Sequence, residues 1–238
     1  MRETSEIYDA WHARLEPDDE ANAPWHQLAR KYVDPVRDLK DRTVLEIGCG
    51  SGAFSVSLAK ARAAPAKVVG ADFSGVALKK AAELSAKMRI SNIVWERQDI
   101  LALSHPDASF DTVFSFETIE HVNEPARAVR ELVRVLRPGG RLFLTTPNYF
   151  GVMGLYRMYL WLCGREFREV DQPINQLTMI PRTFYWLAAA GLHRTRVRCV
   201  GQYLPWPGRP AIRIMSLERV WPLEPFALHS FFLAEKKS

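Results

Sequence analysis

Short apolar runs alternate with amphipathic segments along the first 150 residues. The runs TVLEI, KVVGAD, IVWERQD, FDTVFSF and RLFLTTP have the length and composition of buried strands. Between these runs, apolar residues recur at the spacing of a helix. One helix follows a glycine-rich turn, one is capped by Ser74, and one runs from about Glu124 to Leu136 and ends in an RPGG turn. This alternation predicts an α/β fold with a parallel, doubly wound sheet.

Different patterns flank this region. The first 40 residues predict two short helices, and the segment after the fifth strand is aromatic without strand alternation. PRTFYWLAAAGL then predicts a helix, and HRTRVRCV and FALHSFFLAEK predict two strands. The proline-rich stretch between these strands predicts irregular chain with a short helix near 211–219. We expect one domain over 1–238, divided into an N-terminal helical cover (1–40), a core (41–147), an inserted cap (148–180), and a C-terminal helix and strand hairpin (181–238).

Composition narrows the class of protein. The chain of 238 residues is 47% apolar, which suits a sizeable core and opposes disorder. Three scattered cysteines and a polar N-terminus predict a cytoplasmic protein without a disulfide framework. The net charge of +5 lies in the last third, since 151–238 holds 12 basic and 6 acidic residues. The basic residues of 151–238 predict either a surface that attracts anionic partners or an ordinary solvated surface.

The stretch TVLEIGCGSGAF carries the most specific chemistry. Its GCGSGA formally matches a dinucleotide fingerprint, and Asp72 lies 20 residues beyond Gly52, where a ribose-binding acid would stand. Glu46 opposes that interpretation, because a carboxylate at the turn repels a pyrophosphate. S-adenosylmethionine has no phosphate and carries an ammonium and a sulfonium. The glycine turn with Glu46 therefore favours S-adenosylmethionine over NAD.

Six blocks then carry a family resemblance. VLEIGCGSGAF, GADFS, QDI, FDTVFSFETIEHV, RPGG and LFLTTPN have the order and spacing of class I S-adenosylmethionine-dependent methyltransferases. ETIEHV followed by PARAVRELVRVLRPGG most resembles the branch of ubiquinone-biosynthesis O-methyltransferases and related small-molecule enzymes. The resemblance covers about 40–150. It implies a Rossmann-like, seven-stranded sheet with a terminal antiparallel hairpin, and it leaves the methyl acceptor open.

The candidate cofactor-binding residues follow the carboxyl ends of the predicted strands. Glycines let the backbone approach the cofactor, Asp72 would accept the ribose hydroxyls, and Phe73 would pack on the adenine. The alternatives are a helix N-terminal charge for Asp72 and a structural role for Phe73. By resemblance, Asp99 accepts the adenine amino group and Ile100 donates its backbone N–H. The full set is Glu46, Gly48, Cys49, Gly50, Gly52, Asp72, Phe73, Asp99, Ile100, Phe116 and Glu117.

His121 is the candidate catalytic residue. A hydroxyl acceptor must lose a proton, and histidine is the ordinary base near neutral pH. The alternative is a histidine that shapes the pocket. If TIEHV is helical, Glu117 and His121 share a face. His26 is a remote second candidate, whereas His105, His193 and His229 lack a supporting context. Asp111 is expected to be structural, and no residues are spaced as metal ligands.

These residues predict methyl transfer to a small or lipid-like acceptor, at oxygen. N- or C-methylation and a non-catalytic S-adenosylmethionine-binding module are the alternatives. Nucleic acid is not expected as a partner, because the fourth strand ends in SFETIEH rather than an NPPY-type block. Residues 149–168 are too short and interrupted to span a bilayer. They predict either a cap over an apolar acceptor or a peripheral contact with the inner face of a membrane.

Overall fold

Seven strands form the central sheet. The computed structural model describes residues 2–14, 23–165, 176–206, 209–214, 217 and 220–238. The described residues contain nine strands in all: β1 (Thr43–Ile47), β2 (Lys67–Asp72), β3 (Ile93–Arg97), β4 (Phe110–Phe116), β5 (Leu136–Pro147), β6 (Leu192–Val200), β7 (Tyr203–Trp206), β8 (Arg209–Arg213) and β9 (His229–Lys236). The sheet has the order β3-β2-β1-β4-β5-β9-β6, and β7 and β8 form a separate two-stranded sheet.

The first five strands are parallel, and β9 runs antiparallel to β5 and β6. The fold class and the terminal hairpin predicted from the sequence are therefore confirmed. In this arrangement the carboxyl ends of the parallel strands lie along one edge of the sheet. The first residue of β9 pairs with the last residue of β5, because Pro147 and His229 are register partners. β9 therefore begins at that same edge.

Helices cover both faces of the sheet. They are α1 (Arg2–Arg14), α2 (Pro24–Tyr32), α3 (Ala53–Ala59), α4 (Gly75–Lys87), α5 (Pro125–Val135), α6 (Val152–Leu162) and α7 (Ile180–Ala189), with short turns of helix at Pro35–Leu39, Ile119–His121 and Trp221–Phe226. Leu45 packs with Leu132 of α5 and Leu187 of α7. Its neighbour Val44 packs on the other face with α2 and α3. Successive side chains of a strand point to opposite faces, so the apolar run of β1 serves both cores.

Two local predictions are wrong. The RPGG sequence is not a turn outside the sheet. It lies within β5, where the register with β4 slips between the pairs Phe110–Leu136 and Thr112–Arg141. Gly139 adopts φ +75°, so a bulge in the strand accommodates the extra residues.

The first residues of the short helix predicted near 211–219 are not helical. Residues Arg209–Arg213 form β8 instead and pair with β7. Prolines are tolerated there because both strands of a two-stranded sheet are edges, and their unpaired sides need no N–H donor. Residues 215, 216, 218 and 219 of that prediction lie outside the described residues.

The helix α6 lies in the segment predicted as an inserted cap and packs against β7. Among the described residues, no helix combines the length and apolarity that crossing a membrane requires. Several large apolar side chains of α6 are exposed to solvent: Leu155, Met158, Tyr159, Trp161 and Leu162. The predicted role of this segment as a cap stays a prediction.

Candidate cofactor and active site

The glycine turn after β1 crosses the end of β2. The backbone N–H groups of Gly48 and Cys49 donate to the carbonyl oxygen of Ala71 over 2.8 and 3.0 Å. The N–H of Gly50 donates to Oδ2 of Asp72 over 2.9 Å. The structure thus brings together the predicted turn and the predicted ribose-binding acid.

The outer glycines of the turn are required by close packing and by the backbone. Gly48 and Gly52 have φ of +75° and +80°, a region that residues with a Cβ rarely adopt. A Cβ on Gly48 would lie 2.2 Å from Oγ1 of Thr118. The loop after β4 therefore packs directly against the glycine turn, and these two loops form one continuous rim.

Glu46 lies in β1 beneath this turn and is 2% exposed. Its Oε2 accepts a hydrogen bond from the hydroxyl of Ser55 in α3. The carboxylate is consequently fixed in position, because a buried charge is retained only where hydrogen bonds compensate it. Glu46 thus supplies a fixed carboxylate below the turn, as the choice of a cationic cofactor requires.

The acid at the end of β2 connects three loops. Oδ1 of Asp72 accepts from the N–H of Ser74 over 2.8 Å, and its carbonyl accepts from the N–H of Gln98 over 3.0 Å. Each carboxylate oxygen has two lone pairs, so both can still accept a ribose hydroxyl. The turn, the start of α4 and the end of β3 are thereby held at one place.

The loop after β3 brings the adenine candidates to this edge. Oδ1 of Asp99 accepts from the N–H of Leu101 over 2.9 Å, which shapes the loop. The side chain of Ile100 is buried in the core beside α5. Phe73 is half-buried, and the guanidinium of Arg97 lies 5.7 Å from its ring centroid. Their contacts with adenine stay predictions.

The two candidates at the end of β4 diverge. The ring of Phe116 is buried against His26 and Phe54, with centroids 5.2 and 4.9 Å away, on the face covered by α2 and α3. Any cofactor contact of Phe116 would therefore be made by its backbone.

Glu117 adopts φ +46°, which is unusual for a residue with a side chain, and its N–H donates to the carbonyl of Thr145 over 3.1 Å. Its carboxylate oxygen Oε2 lies 2.9 Å from Nδ1 of His229. His229 therefore has a carboxylate partner that its neighbours in sequence do not reveal.

His121 lies in the short helix Ile119–His121, below the N-terminal helix α1. Its ring is 5.8 Å from that of Tyr8 in an edge contact, and its Nε2 is 3.7 Å from Oε1 of Glu120. Glu117 and His121 do not share a helix face, because Glu117 has a positive φ and the short helix begins only at Ile119. His121 stays a predicted base, with the carboxylate of Glu120 beside it.

The helix α1 covers the cofactor-binding edge. Asp9 accepts from the hydroxyl of Ser74, and Nζ of Lys80 donates to the carbonyl of His12 over 2.7 Å. Burial raises the pKa of Tyr8, and the negative charges of Glu120 and Asp72 raise it further. The phenol is therefore neutral near pH 7, and it lies close enough to Asp72 and Glu120 to feel the charge of both.

The remaining sequence candidates have structural positions. His26 stacks on Phe54 with centroids 4.8 Å apart. Asp111, at the amino end of β4, accepts from the N–H of Thr43 over 2.9 Å and pairs with Arg137 over 2.6 Å. Asp111 therefore has the structural role expected of it. In the described part of the chain, no three or more His, Cys, Asp or Glu side chains are grouped as a metal site would need.

Comparison with known proteins agrees with this geometry. Residues 45–144 match a family described as a methyltransferase domain. The chain is 36% identical over 118 residues to the ubiquinone biosynthesis O-methyltransferase of Coxiella burnetii, covering 50% of this chain and 49% of that protein. It is 31% identical over 165 residues to the 27-O-demethylrifamycin SV methyltransferase of Amycolatopsis mediterranei, covering 67% and 57%. The chain thus spans about half the length of the curated relatives it matches.

A solved structure supports the fold. The S-adenosylmethionine-dependent methyltransferase of Mesorhizobium loti superposes with a TM-score of 0.64 at 17% identity, over 91% of this chain and 100% of that one. The sheet and its glycine turn define a Rossmann-like, cofactor-binding α/β domain. Residues 45–144 form a methyltransferase domain of the class I S-adenosylmethionine-dependent type. The predicted family, fold class and cofactor are confirmed.

Proposed function

We propose that this protein transfers a methyl group from S-adenosylmethionine to an oxygen of a small or lipid-like acceptor. The observation that carries the proposal is the rim formed by the glycine turn and Asp72, with the buried Glu46 beneath it. A carboxylate at this place suits a cationic ligand and opposes a pyrophosphate. The choice of oxygen is supported by the two O-methyltransferases that the chain resembles.

The residues present fit S-adenosylmethionine. A Cβ on Gly48 would strike the side chain of Thr118, so a glycine is needed to keep the turn and the loop after β4 packed together at the rim. Asp72 retains acceptor capacity for hydroxyls, and Glu46 supplies negative charge for an ammonium or sulfonium. The cofactor supplies a methyl group that is already activated, so the protein mainly has to align the acceptor and exclude water. The tight rim and the cover by α1 serve both purposes.

Calorimetry with S-adenosylmethionine and with NAD tests the cofactor, and labelled methyl transfer to a cell extract tests the activity. We expect binding of S-adenosylmethionine, no binding of NAD, and label in an ether-linked or ester-linked methyl group. Tight binding of NAD alone would reject the proposal. Label on nitrogen or carbon would support the alternative reaction, and binding without any transfer would identify a non-catalytic cofactor-binding module.

Replacing Asp72 by Ala should weaken S-adenosylmethionine binding by about 1–3 kcal/mol, because buried hydroxyl and N–H partners lose their acceptor. The carboxylate of Asp72 also accepts hydrogen bonds from Gly50 and Ser74, so its loss could destabilise the fold. Calorimetry is therefore paired with a measurement of unfolding. Asp107→Ala is the matched control, since Asp107 is exposed and pairs with Arg134. If Asp72→Ala left the dissociation constant unchanged, Asp72 would not be the ribose ligand.

We also propose that the outer face of α6 contacts an anionic membrane surface. Trp161, Leu162 and Leu155 of this helix are 74%, 69% and 62% exposed. An interfacial helix needs such apolar and aromatic groups together with basic side chains, and Arg157 and Arg165 are close in sequence. The basic surplus of the last third of the chain would add attraction to anionic lipids. A lipid-like acceptor would be reached from the same surface.

Vesicle binding tests this surface. Cys163 follows α6 and is exposed, whereas Cys49 is buried and burial raises the pKa of Cys199 to about 12. A polarity-sensitive maleimide should therefore label Cys163 selectively at neutral pH. We expect a blue shift with phosphatidylglycerol vesicles that weakens with salt and with Trp161→Ala, but not with Val36→Ala, whose side chain is 67% exposed before β1. If the fluorescence spectrum did not change with vesicles at low salt, the membrane contact would be rejected and the role as a cap would be the one that stands.

A further inference from the structure

A buried histidine and a half-buried carboxylate meet at the edge of the sheet. The side chains of His229 and Glu117 are 8% and 16% exposed, and Nδ1 of the histidine lies 2.9 Å from Oε2 of the carboxylate. They come from strands 112 positions apart in sequence. Since burying a charged or polar pair is costly unless it is compensated, a pair at this place needs a structural or chemical reason.

The ring of His229 is held on both sides. The ring of Trp25 from α2 lies 4.7 Å away, and that of Tyr203 from β7 lies 6.4 Å away. A Cβ on Gly201 would come within 3.0 Å of Cδ2 of His229, so the backbone also approaches closely. These neighbours restrict the imidazole, and its Nδ1 faces Glu117.

This orientation determines the chemistry of the ring. A carboxylate at Nδ1 holds the proton on that nitrogen and leaves Nε2 as the acceptor. Within the described residues, Nε2 has no hydrogen-bond partner, and Oε1 of Glu117 is buried and also has none. When Nε2 takes up a proton, the negative charge of Glu117 stabilises the imidazolium. Tyr203 is the other titratable group in ring contact with His229.

The pair borders the proposed cofactor site. Glu117 is the first residue after β4, and the next residue, Thr118, packs against Gly48 of the glycine turn. β4, β5 and β9 are successive neighbours in the sheet, and strands are spaced about 4.8 Å apart. His229 at the start of β9 thus lies about two strand spacings from Glu117's strand, on the edge where ligands bind in such sheets.

We infer that His229 is the general base for the acceptor hydroxyl and that Glu117 is its positioning residue. The inference rests on the proposed O-methyl transfer. Nε2 of His229 removes the hydroxyl proton as the oxygen bonds to the methyl carbon. The carbon–sulfur bond breaks with its electron pair going to sulfur, which leaves a neutral thioether. The imidazolium then releases the proton to water. His121 is the competing base, and the carboxylate of Glu120 lies 3.7 Å from its Nε2.

Acceptor acidity distinguishes a base from a structural residue. Catechol must lose a proton during transfer at pH 8, whereas 4-nitrocatechol is already ionised. We expect His229→Gln to lower turnover of catechol by about 10²-fold or more and that of 4-nitrocatechol by less than about tenfold. Glu117→Gln should show the same asymmetry, because it keeps a side chain of the same shape without the charge. Equal losses on both acceptors would overturn the inference, as would an asymmetry found only in His121→Asn.

Nitrogen NMR of the imidazoles tests the positioning of His229 by Glu117 without any acceptor. At pH 9 the ring of His229 should carry its proton on Nδ1, and Glu117→Ala should convert it to a mixture of tautomers. His193→Asn is the matched control, because His193 lies at the opposite end of the same hairpin. A proton on Nε2 of His229 would overturn the inference. If the unsubstituted protein did not bind S-adenosylmethionine, the proposed function itself would be refuted. Calorimetry with S-adenosylmethionine therefore accompanies each variant.

Discussion

Replacing Gly52 by Ala should destabilise the protein by about 2–5 kcal/mol and weaken S-adenosylmethionine binding. Two costs combine. The φ of +80° at Gly52 lies in the left-handed region, where a Cβ costs about 1–2 kcal/mol. That Cβ would also lie 2.4 Å from the ring of Trp95 and 2.7 Å from Cβ of Ala81, and overpacking costs typically about 1–3 kcal/mol.

The neighbours of Gly52 cannot easily move. Nε1 of Trp95 donates to Oγ of Ser85 over 3.0 Å, and Ala81 is fully buried in α4. Urea unfolding and calorimetry measure the two effects. Gly75→Ala is the matched control, because a Cβ there meets nothing within 4 Å and the residue begins the helix. If Gly52→Ala were as stable as Gly75→Ala, the turn would not be constrained as the structure indicates.

The parts of the fold that could be predicted are those with a local signal. The apolar run of β1 and the alternation of strands and helices determine the parallel sheet, since each run must be buried on both faces. The hairpin of β7 and β8 was not predicted, because prolines and polar residues conceal its pairing. The bulge in β5 was missed because RPGG has the composition of a turn, whereas the sheet accommodates it within the strand.

The candidate site divides in the same way. The glycine turn and Asp72 could be located because a short βαβ unit fixes their spacing, and the structure joins them by a hydrogen bond from Gly50. The position of Glu117 at the end of β4 marks it as a candidate, whereas nothing in the sequence marks its partner His229. That pairing depends on the order of strands in the finished sheet and on a positive φ at Glu117, neither of which the sequence pattern shows.

Replacing Arg141 by Met should destabilise the protein by about 3–5 kcal/mol near neutral pH, because it leaves the carboxylate of Asp38 buried without its partner. Asp38 is 1% exposed, and Arg141 of β5 forms a bidentate ion pair with it. The pair joins the segment between α2 and β1 to the sheet. Arg194→Met is the control, since Arg194 is 75% exposed and 3.7 Å from Glu235, and its loss should cost about 1 kcal/mol or less.

The pH dependence identifies the cause. Burial already raises the pKa of Asp38 despite the attraction of Arg141, and removal of the arginine raises it further. The folded variant then binds a proton that the unfolded chain releases, so its stability falls as the pH rises and the deficit disappears below about pH 4, where both states are protonated. Urea unfolding from pH 4 to 8 should therefore show a deficit that grows with pH. Adding Asp38→Asn to Arg141→Met should recover most of the lost stability, because the unpaired charge is then absent. A loss of stability that is constant with pH, or that persists in the double variant, would instead be caused by altered packing around Arg141.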